Sequence, residues 1–296
     1  MLKGSYTALI TPFKGENAEK VDFDIFEQLI ERQINAGTHG LVPCGTTGES
    51  PTLSYSEHDE VIERCIKTAK GRIKVLAGTG SNSTSEAIEL TQHAEKAGAD
   101  AALIMTPYYN KPNQEGIFRH FKAIHDVTRI PMVIYNIPGR SVVNIKDETV
   151  KRIADLERVI GIKDATGDLS RPVELKRLVS KPNFTQLSGE DDTAVEFNRR
   201  GGVGVISVAS NIAPKIIAET QNLCIENRFT EAEALHKKIE KLHKLCFIEV
   251  SPQPVKFLSE VLGLSSGKLR LPLIEVSDEN KVKLRALVEE LREWLV

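Results

Sequence analysis

Cysteine is scarce in this chain, and what there is lies scattered. The 296 residues contain four, Cys44, Cys65, Cys224 and Cys246, with no Cys-x-x-Cys pair among them. That excludes the dense disulfide framework of a small secreted scaffold and suits free thiols in a reducing cytoplasm. The seven histidines, His39, His58, His93, His120, His125, His236 and His243, show no ligand spacing with carboxylates or cysteines, so no metal is expected. No apolar run approaches the roughly 18 to 20 residues that cross a bilayer. The opening "MLKGSYTALITPF" is too short and interrupted for a secretory signal, and no membrane partner is expected. Charge of one sign is missing as well. A formal net charge of −2 offers no basic patch to phosphates, which argues against a nucleic-acid partner. No Gly-x-Gly-x-x-Gly turn follows the first strand. "GLSSGKL" at 263–269 is one residue short of a phosphate loop and runs into leucine rather than Ser or Thr. No cofactor is expected.

What is present is the mixture of a folded globular chain, 41% hydrophobic and 27% charged. Short, β-branched apolar runs alternate with helical stretches. "SYTALITPF", "GLVPCG", "IKVLAGTG", "AALIMTPYYN", "PMVIYNIPG", "VIGIKDATG", "FTQLSGED" and "VGVISVAS" read as strands. Each is followed by a helix. The first, at 22–36, has Phe23, Phe26, Leu29 and Ile30 at helical spacing, Asp22 as N-cap and Gly37 as stop. The third opens on a Ser83–Glu86 cap, and Pro172 and Pro214 sit in the first turns of later helices. Strands this apolar suit a parallel sheet buried on both faces. Eight strand-helix units in 226 residues point to a closed eightfold β/α (TIM-type) barrel. After that the strands stop. "RFTEAEALHKKIEKLHKLCFIEV", "QPVKFLSEVLG" and "SDENKVKLRALVEELREWLV" read as helices. The expected organisation is therefore a catalytic barrel at 1–226 with a C-terminal helical domain at 227–296 packed on it.

In such barrels the active site lies at the C-terminal ends of the strands. Strand 2 ends in "CGTTGES", strand 4 in "TPYYNKP", strand 5 in "YNIPGR", strand 6 at Lys163 and strand 7 in "SGEDD". Three of the five tyrosines, Tyr108, Tyr109 and Tyr135, fall at these ends. Each feature also has an ordinary reading. A strand-end lysine can be a surface salt-bridge partner, "GTTGE" a turn with a capping threonine, the tyrosines plugs for the barrel top, and Arg140 a surface residue. "GGVG" at 201–204 is read as close packing at a strand start rather than a phosphate loop. Together the residues suggest carbonyl chemistry. Burial disfavours an ammonium, and a neutral amine on Lys163 can attack a ketone to form an imine. Hydroxyls of Tyr and Thr can relay the protons. Thr47 and backbone N–H groups at a helix start can hold a carboxylate.

These residues resemble those of the dihydrodipicolinate synthases, within the pyruvate-dependent class I aldolase superfamily. The likeness runs over essentially the whole chain, through "TALITPF", "CGTTGES", "TPYYNKPNQEGIFRHF", "YNIPGR", "GIKDATGD", "LSGEDD", "GGVGVISV" and "KLRLPL". It implies that Lys163 forms a Schiff base with pyruvate, and that Thr46, Tyr109 and Tyr135 relay protons, Tyr109 reaching into a neighbouring subunit. It implies that Thr46 and Thr47 seat the pyruvate carboxylate, that Arg140 binds the carboxylate of L-aspartate 4-semialdehyde, and that Gly189 and Ile206 act through main-chain groups. Arg140 separates this reading from the related N-acetylneuraminate lyases and keto-deoxy sugar-acid aldolases, which share the lysine and the tyrosine. The resemblance further implies a homotetramer, a dimer of dimers, inhibited by L-lysine. Its inhibitor cleft corresponds to Ser50, Pro51, Tyr55, His58, Asn82, Glu86 and Tyr108, with Tyr55 in place of an expected histidine or tryptophan. A barrel that only senses lysine is the non-enzymatic alternative.

Overall fold

The structure is a computed structural model and describes residues 2–295. Its strands are β1 (Gly4–Ala8), β2 (Gly40–Val42), β3 (Lys74–Gly78), β4 (Ala101–Met105), β5 (Met132–Asn136), β6 (Val159–Asp164), β7 (Thr185–Ser188) and β8 (Gly204–Ser207). All run parallel, each beside its neighbour in sequence, and β8 closes on β1 with Gly4 opposite Gly204 and Thr7 opposite Ser207. The expected eightfold barrel is therefore the observed one. The first strand is shorter than its apolar run. Phe13–Lys14 leaves the barrel to pair antiparallel with Lys20–Val21.

The strands look continuously apolar because both of their faces are buried. One set of alternate side chains, including Tyr6, Val42, Leu103, Tyr135, Leu187 and Ile206, fills the barrel interior. The other set, including Leu41, Val75, Ile104, Ile134 and Ile162, meets the surrounding helices. Those helices are α1 (Phe23–Asn35), α2 (Tyr55–Ala69), α3 (Thr84–Ala97), α4 (Gln114–Val127), α5 (Asp147–Ala154), α6 (Arg171–Leu178), α7 (Ala194–Arg199) and α8 (Pro214–Ile225). Phe26, Val61, Ile62, Ile117 and Phe121 are their apolar contribution to the outer layer. Truncating any one of these to Ala costs about 2–5 kcal/mol.

Capping follows the sequence with one informative exception. Asp22 accepts from the Ile25 N–H, and Gly37 takes a left-handed φ of +80° just past the end of α1. Ser83 accepts from the Glu86 N–H, but the Glu86 carboxylate does not reach back to the cap. It accepts from Ser81 Oγ at 2.7 Å instead. The full reciprocal box forms at α2, between Ser54 and Glu57. Glu86 is thus kept for a cavity described below.

Beyond α8 come α9 (Phe229–Lys238), α10 (Glu240–Leu245), α11 (Gln253–Val261) and α12 (Asp278–Leu291). The expected single helix across 228–250 is broken. Ile239 leaves helical geometry at φ −116° and ψ 18°, and the break seats Ile239, Leu242 and Cys246 in one core. That core also contains Ile10, Leu29 and Val205 of the barrel and Leu258, Leu284, Leu287 and Leu291 of the C-terminal helices. The segments on either side of residue 226 therefore share an apolar cluster. No helix of the described residues is long and apolar enough to cross a membrane.

Candidate active site

Lys163 is the fifth residue of β6, and the two-residue period of a strand turns it inward while Ile162 faces the helices. Its register neighbours are Tyr135 on β5 and Leu187 on β7. Only 6% of Lys163 is exposed, and its Nζ lies 4.2 Å from the centroid of the Tyr135 ring. A cation over an aromatic face gains electrostatically, more so out of water. The next residue anchors the strand end. Asp164 Oδ2 accepts from Arg171 Nε at 2.7 Å, and its Oδ1 accepts from the N–H (3.0 Å) and hydroxyl (2.5 Å) of Thr166. Asp164 is thus more than the turn residue its sequence context suggests. Arg171, itself buried, is also paired with the half-buried Asp147 at 2.7 Å, which helps fix the exit from β6.

β7 brings a residue that the sequence reading passed over. Glu190 lies two residues past the strand, and its main chain is locked from both sides by Ser188, whose Oγ accepts from Glu190 N and donates to Glu190 O. Burial pushes the Glu190 carboxyl up to about 7, against the opposing pull of the Lys163 charge. The signal was its place at a strand end beside the lysine strand. Gly189 before it donates its N–H to the Asp164 carbonyl at 2.6 Å. A Cβ there would stand 2.6 Å from Ala165 Cβ, so only glycine fits. Ile206, on β8, is fully buried in the barrel interior opposite Tyr6.

The loop after β2 is tightly wound. Gly48 N–H donates to the Gly45 carbonyl and Glu49 N–H to the Thr46 carbonyl, both at 3.1 Å. Gly78 on β3 presses against it. A Cβ at Gly78 would come 2.3 Å from the Cys44 carbonyl oxygen. Thr47 is buried, and the buried Thr46 hydroxyl has no hydrogen-bond partner among the described residues. A buried hydroxyl without a partner is costly, and it is the kind of group a bound ligand satisfies.

Thr46 also lines a cavity of about 410 Å³. Arg140, on the short turn of helix Pro138–Ser141 after β5, lines it too and donates to the Ser251 carbonyl at 3.2 Å. Six of the seven expected inhibitor residues, Ser50, Pro51, Tyr55, His58, Glu86 and Tyr108, line the same cavity. Asn82 does not; its carbonyl accepts from Asn110 Nδ2 at 2.9 Å. His58 is buried with Nε2 3.0 Å from the Gly78 carbonyl, and burial lowers its pKa. Burial, then the Glu86 carboxylate, raises that of Tyr108. Tyr109 is apart from the other hydroxyls. It is 87% exposed at a left-handed φ of 69°, whereas Tyr135 is 5% exposed inside the barrel. A larger open groove of about 960 Å³ between α1 and α2, lined by charged side chains such as Glu31, Arg32 and Arg64, contains none of the expected site residues.

What a buried amine at a barrel mouth does best is attack a carbonyl carbon. The chain is an enzyme, a Schiff-base-forming lyase on a β/α barrel. Comparison with known proteins narrows the class. The sequence profile of the Dihydrodipicolinate synthetase family matches residues 1–291, and the chain belongs to that family. It is 54% identical over 284 residues to the 4-hydroxy-tetrahydrodipicolinate synthase of Pelagibacter ubique (strain HTCC1062), covering 95% of this chain and 96% of that one. The crystal structure of the chloride-inhibited dihydrodipicolinate synthase from Acinetobacter baumannii complexed with pyruvate matches at TM-score 0.96 and 41% identity, covering 100% of both chains. The enzyme from Cyanidioschyzon merolae, solved with lysine bound, matches at TM-score 0.94 and 35% identity over 98% of both chains.

Proposed function

We propose that the chain condenses pyruvate with L-aspartate 4-semialdehyde through a Schiff base on Lys163, as a 4-hydroxy-tetrahydrodipicolinate synthase of lysine and diaminopimelate biosynthesis. The observation that carries this is Lys163 itself, nearly excluded from water and held against the Tyr135 ring. Its amine attacks C2 of pyruvate, and water leaves as the imine forms. Loss of a methyl proton gives the enamine, whose terminal carbon attacks the aldehyde. The substrate amino group then displaces Lys163 by transimination, closing the ring and freeing the enzyme. Thr46 and Thr47 seat the pyruvate carboxylate, which gives the unpartnered Thr46 hydroxyl its acceptor. Tyr135 shuttles protons at the imine. Arg140, at the cavity edge, takes the carboxylate of the semialdehyde, with Gly189 and Ile206 contributing main-chain groups. No organic cofactor or metal enters this scheme.

The exposed, left-handed Tyr109 supports an assembly in which it completes the hydroxyl relay of a neighbouring subunit, within a homotetramer built as a dimer of dimers. The shared cavity supports inhibition by L-lysine. Glu86 would pair with the effector's ammonium, next to Thr46 and Arg140 in the same space. The four buried, unpaired cysteines support a cytoplasmic location.

Borohydride reduction in the presence of pyruvate is expected to add one pyruvate-derived mass at Lys163; an adduct mapped elsewhere defeats the mechanism. A coupled assay with the semialdehyde and a reductase, with and without L-lysine, tests substrate and regulation together. Turnover of a sugar acid in place of the semialdehyde would move the chain to the N-acetylneuraminate lyase or keto-deoxy sugar-acid aldolase reading.

A further inference from the structure

The Gly45–Glu49 loop ends on a residue that the site above does not use. Glu49 takes a left-handed φ of 54° and ψ of 38°, a conformation disfavoured for any residue with a Cβ. Its N–H is bonded to the Thr46 carbonyl, and Ser50 N–H to that of Gly45. A change in the Glu49 backbone therefore reaches the Thr46 peptide through one hydrogen bond. Something outside the loop has to hold Glu49 there. Its Oε1 is paired with Lys256 Nζ on α11, 207 residues away in sequence, and both side chains are 0% exposed. Its Oε2 accepts from the Arg270 N–H at 3.1 Å.

The same C-terminal stretch grips the surroundings of the loop. Lys256 Nζ and the Arg270 guanidinium lie 4.1 Å and 4.3 Å from the centroid of one ring, Phe13. Arg270 forks onto Glu57 at 2.7 and 2.6 Å and donates to the Thr52 carbonyl at 2.9 Å. The turn Ser50–Thr52 and the start of α2 are thereby tied to the C-terminal segment, as is Glu49. Stability alone does not account for such a pair. Desolvating two charges costs about what their attraction returns, and packed apolar side chains commonly do as well. Burial pushes Lys256 down to about 8, a mark of that cost. What a buried pair supplies that apolar packing does not is a fixed orientation.

We propose that Lys256 is a positioning residue of the active site: its ion pair with Glu49 holds the Gly45–Glu49 loop in the conformation that presents Thr46 and Thr47 to the substrate carboxylate. The C-terminal helices are then a working part of the centre and not a cover on the barrel. This rests on the reading that Thr46 and Thr47 seat pyruvate.

The test rests on the paired apolar replacement Glu49→Leu/Lys256→Met, which strands no buried charge, with Lys256→Met and Glu49→Gln, expected to melt lower, as companions, each checked by thermal melt and circular dichroism. For every variant that melts as wild type does, the KM for pyruvate is expected to rise about tenfold, the mark of a displaced carboxylate seat, and any accompanying fall in kcat reports the share of the Thr46 hydroxyl in the relay. Borohydride trapping at subsaturating pyruvate should slow in parallel and recover as pyruvate is raised. A purely structural pair predicts lowered melts with an unchanged KM. A natively melting variant with wild-type KM overturns the proposal, and so does a set in which no variant melts natively, since the pair would then be structural. The two readings fail differently. Absence of a pyruvate adduct in the wild type removes the assignment of function. A wild-type adduct with unmoved variants removes only the role of Lys256.

Discussion

The barrel mouth and the junction with the C-terminal helices each bury a lysine against an aromatic ring, and they treat it in opposite ways. At the mouth, Lys163 Nζ sits 4.2 Å from the Tyr135 ring, and the nearby carboxyl of Glu190 is itself pushed up to about 7. A carboxyl that is half protonated near neutrality is a poor counter-ion. At the junction, Lys256 Nζ sits 4.1 Å from the Phe13 ring with the Glu49 carboxylate directly against it. The ring distances are alike; the carboxylates are not. An amine meant to react is left without a committed partner, whereas an amine meant to hold something is given one.

Removing each lysine should split the two roles. Lys163→Ala is expected to lower turnover by at least about 1,000-fold, because the nucleophile is gone and the rest of the site acts only with it. Its thermal midpoint should stay at or above that of the wild type, and a parallel fall in stability would erase the contrast. Lys256→Ala should do the reverse on the stability axis. It leaves the Glu49 carboxyl buried without its partner, a loss of about 3–5 kcal/mol in urea unfolding. Arg140→Ala comes next. Losing a charge-assisted carboxylate contact should weaken use of the semialdehyde by about 2–5 kcal/mol while leaving the pyruvate adduct almost unaffected. Equal losses in both half-reactions would count against its assigned role.

The smallest effect is one of pH. The Glu190 carboxyl titrates at about 7 in the folded chain against an ordinary 4.5, so the folded state holds a proton that the unfolded chain has released between those values. Its contribution to stability is complete below pH 4.5, declines as pH rises, and is gone above about 7. Glu190→Gln should flatten that part of the stability profile. Unfolding curves at pH 5 and pH 8 that differ as much in the variant as in the wild type would show that Glu190 is not responsible.

The barrel was legible because each strand is a short apolar run bounded by helical periodicity, and that rhythm survives without tertiary information. Lys163 was legible because an ammonium after Val159, Ile160 and Ile162 conflicts with its surroundings. The inhibitor residues were legible only through resemblance, and the cavity they line was not foreseeable from their spacing. Lys256 was not legible. In "QPVKFLSEVLG" it looks like a solvent-facing lysine on an amphipathic helix, and its partner lies 207 residues away. Glu49 was read as the end of a turn and as part of the "CGTTGES" motif, with no partner foreseen for its carboxylate. Glu190 was hidden among three consecutive acids, Glu190, Asp191 and Asp192, because burial rather than identity distinguishes it. The break at Ile239 had no glycine or proline to announce it; the demand of the core for Ile239 and Leu242 overrode helical periodicity.

The cluster joining Ile10 and Leu29 to Leu284, Leu287 and Leu291 sets a schedule for synthesis. Translation delivers the β1 side of that cluster long before the α12 side, and Arg32 also waits to donate to the Leu295 carbonyl. The barrel seam, β1 against β8, stays open until residue 207 has emerged, and the apolar surface around Ile10 stays bare for longer still. Until the seam closes, the first strand of the nascent chain is unpaired on one side, the kind of interval in which holding chaperones act. A stop just before α12 would leave Ile10, Leu29 and Val205 without the cover of Leu284, Leu287 and Leu291.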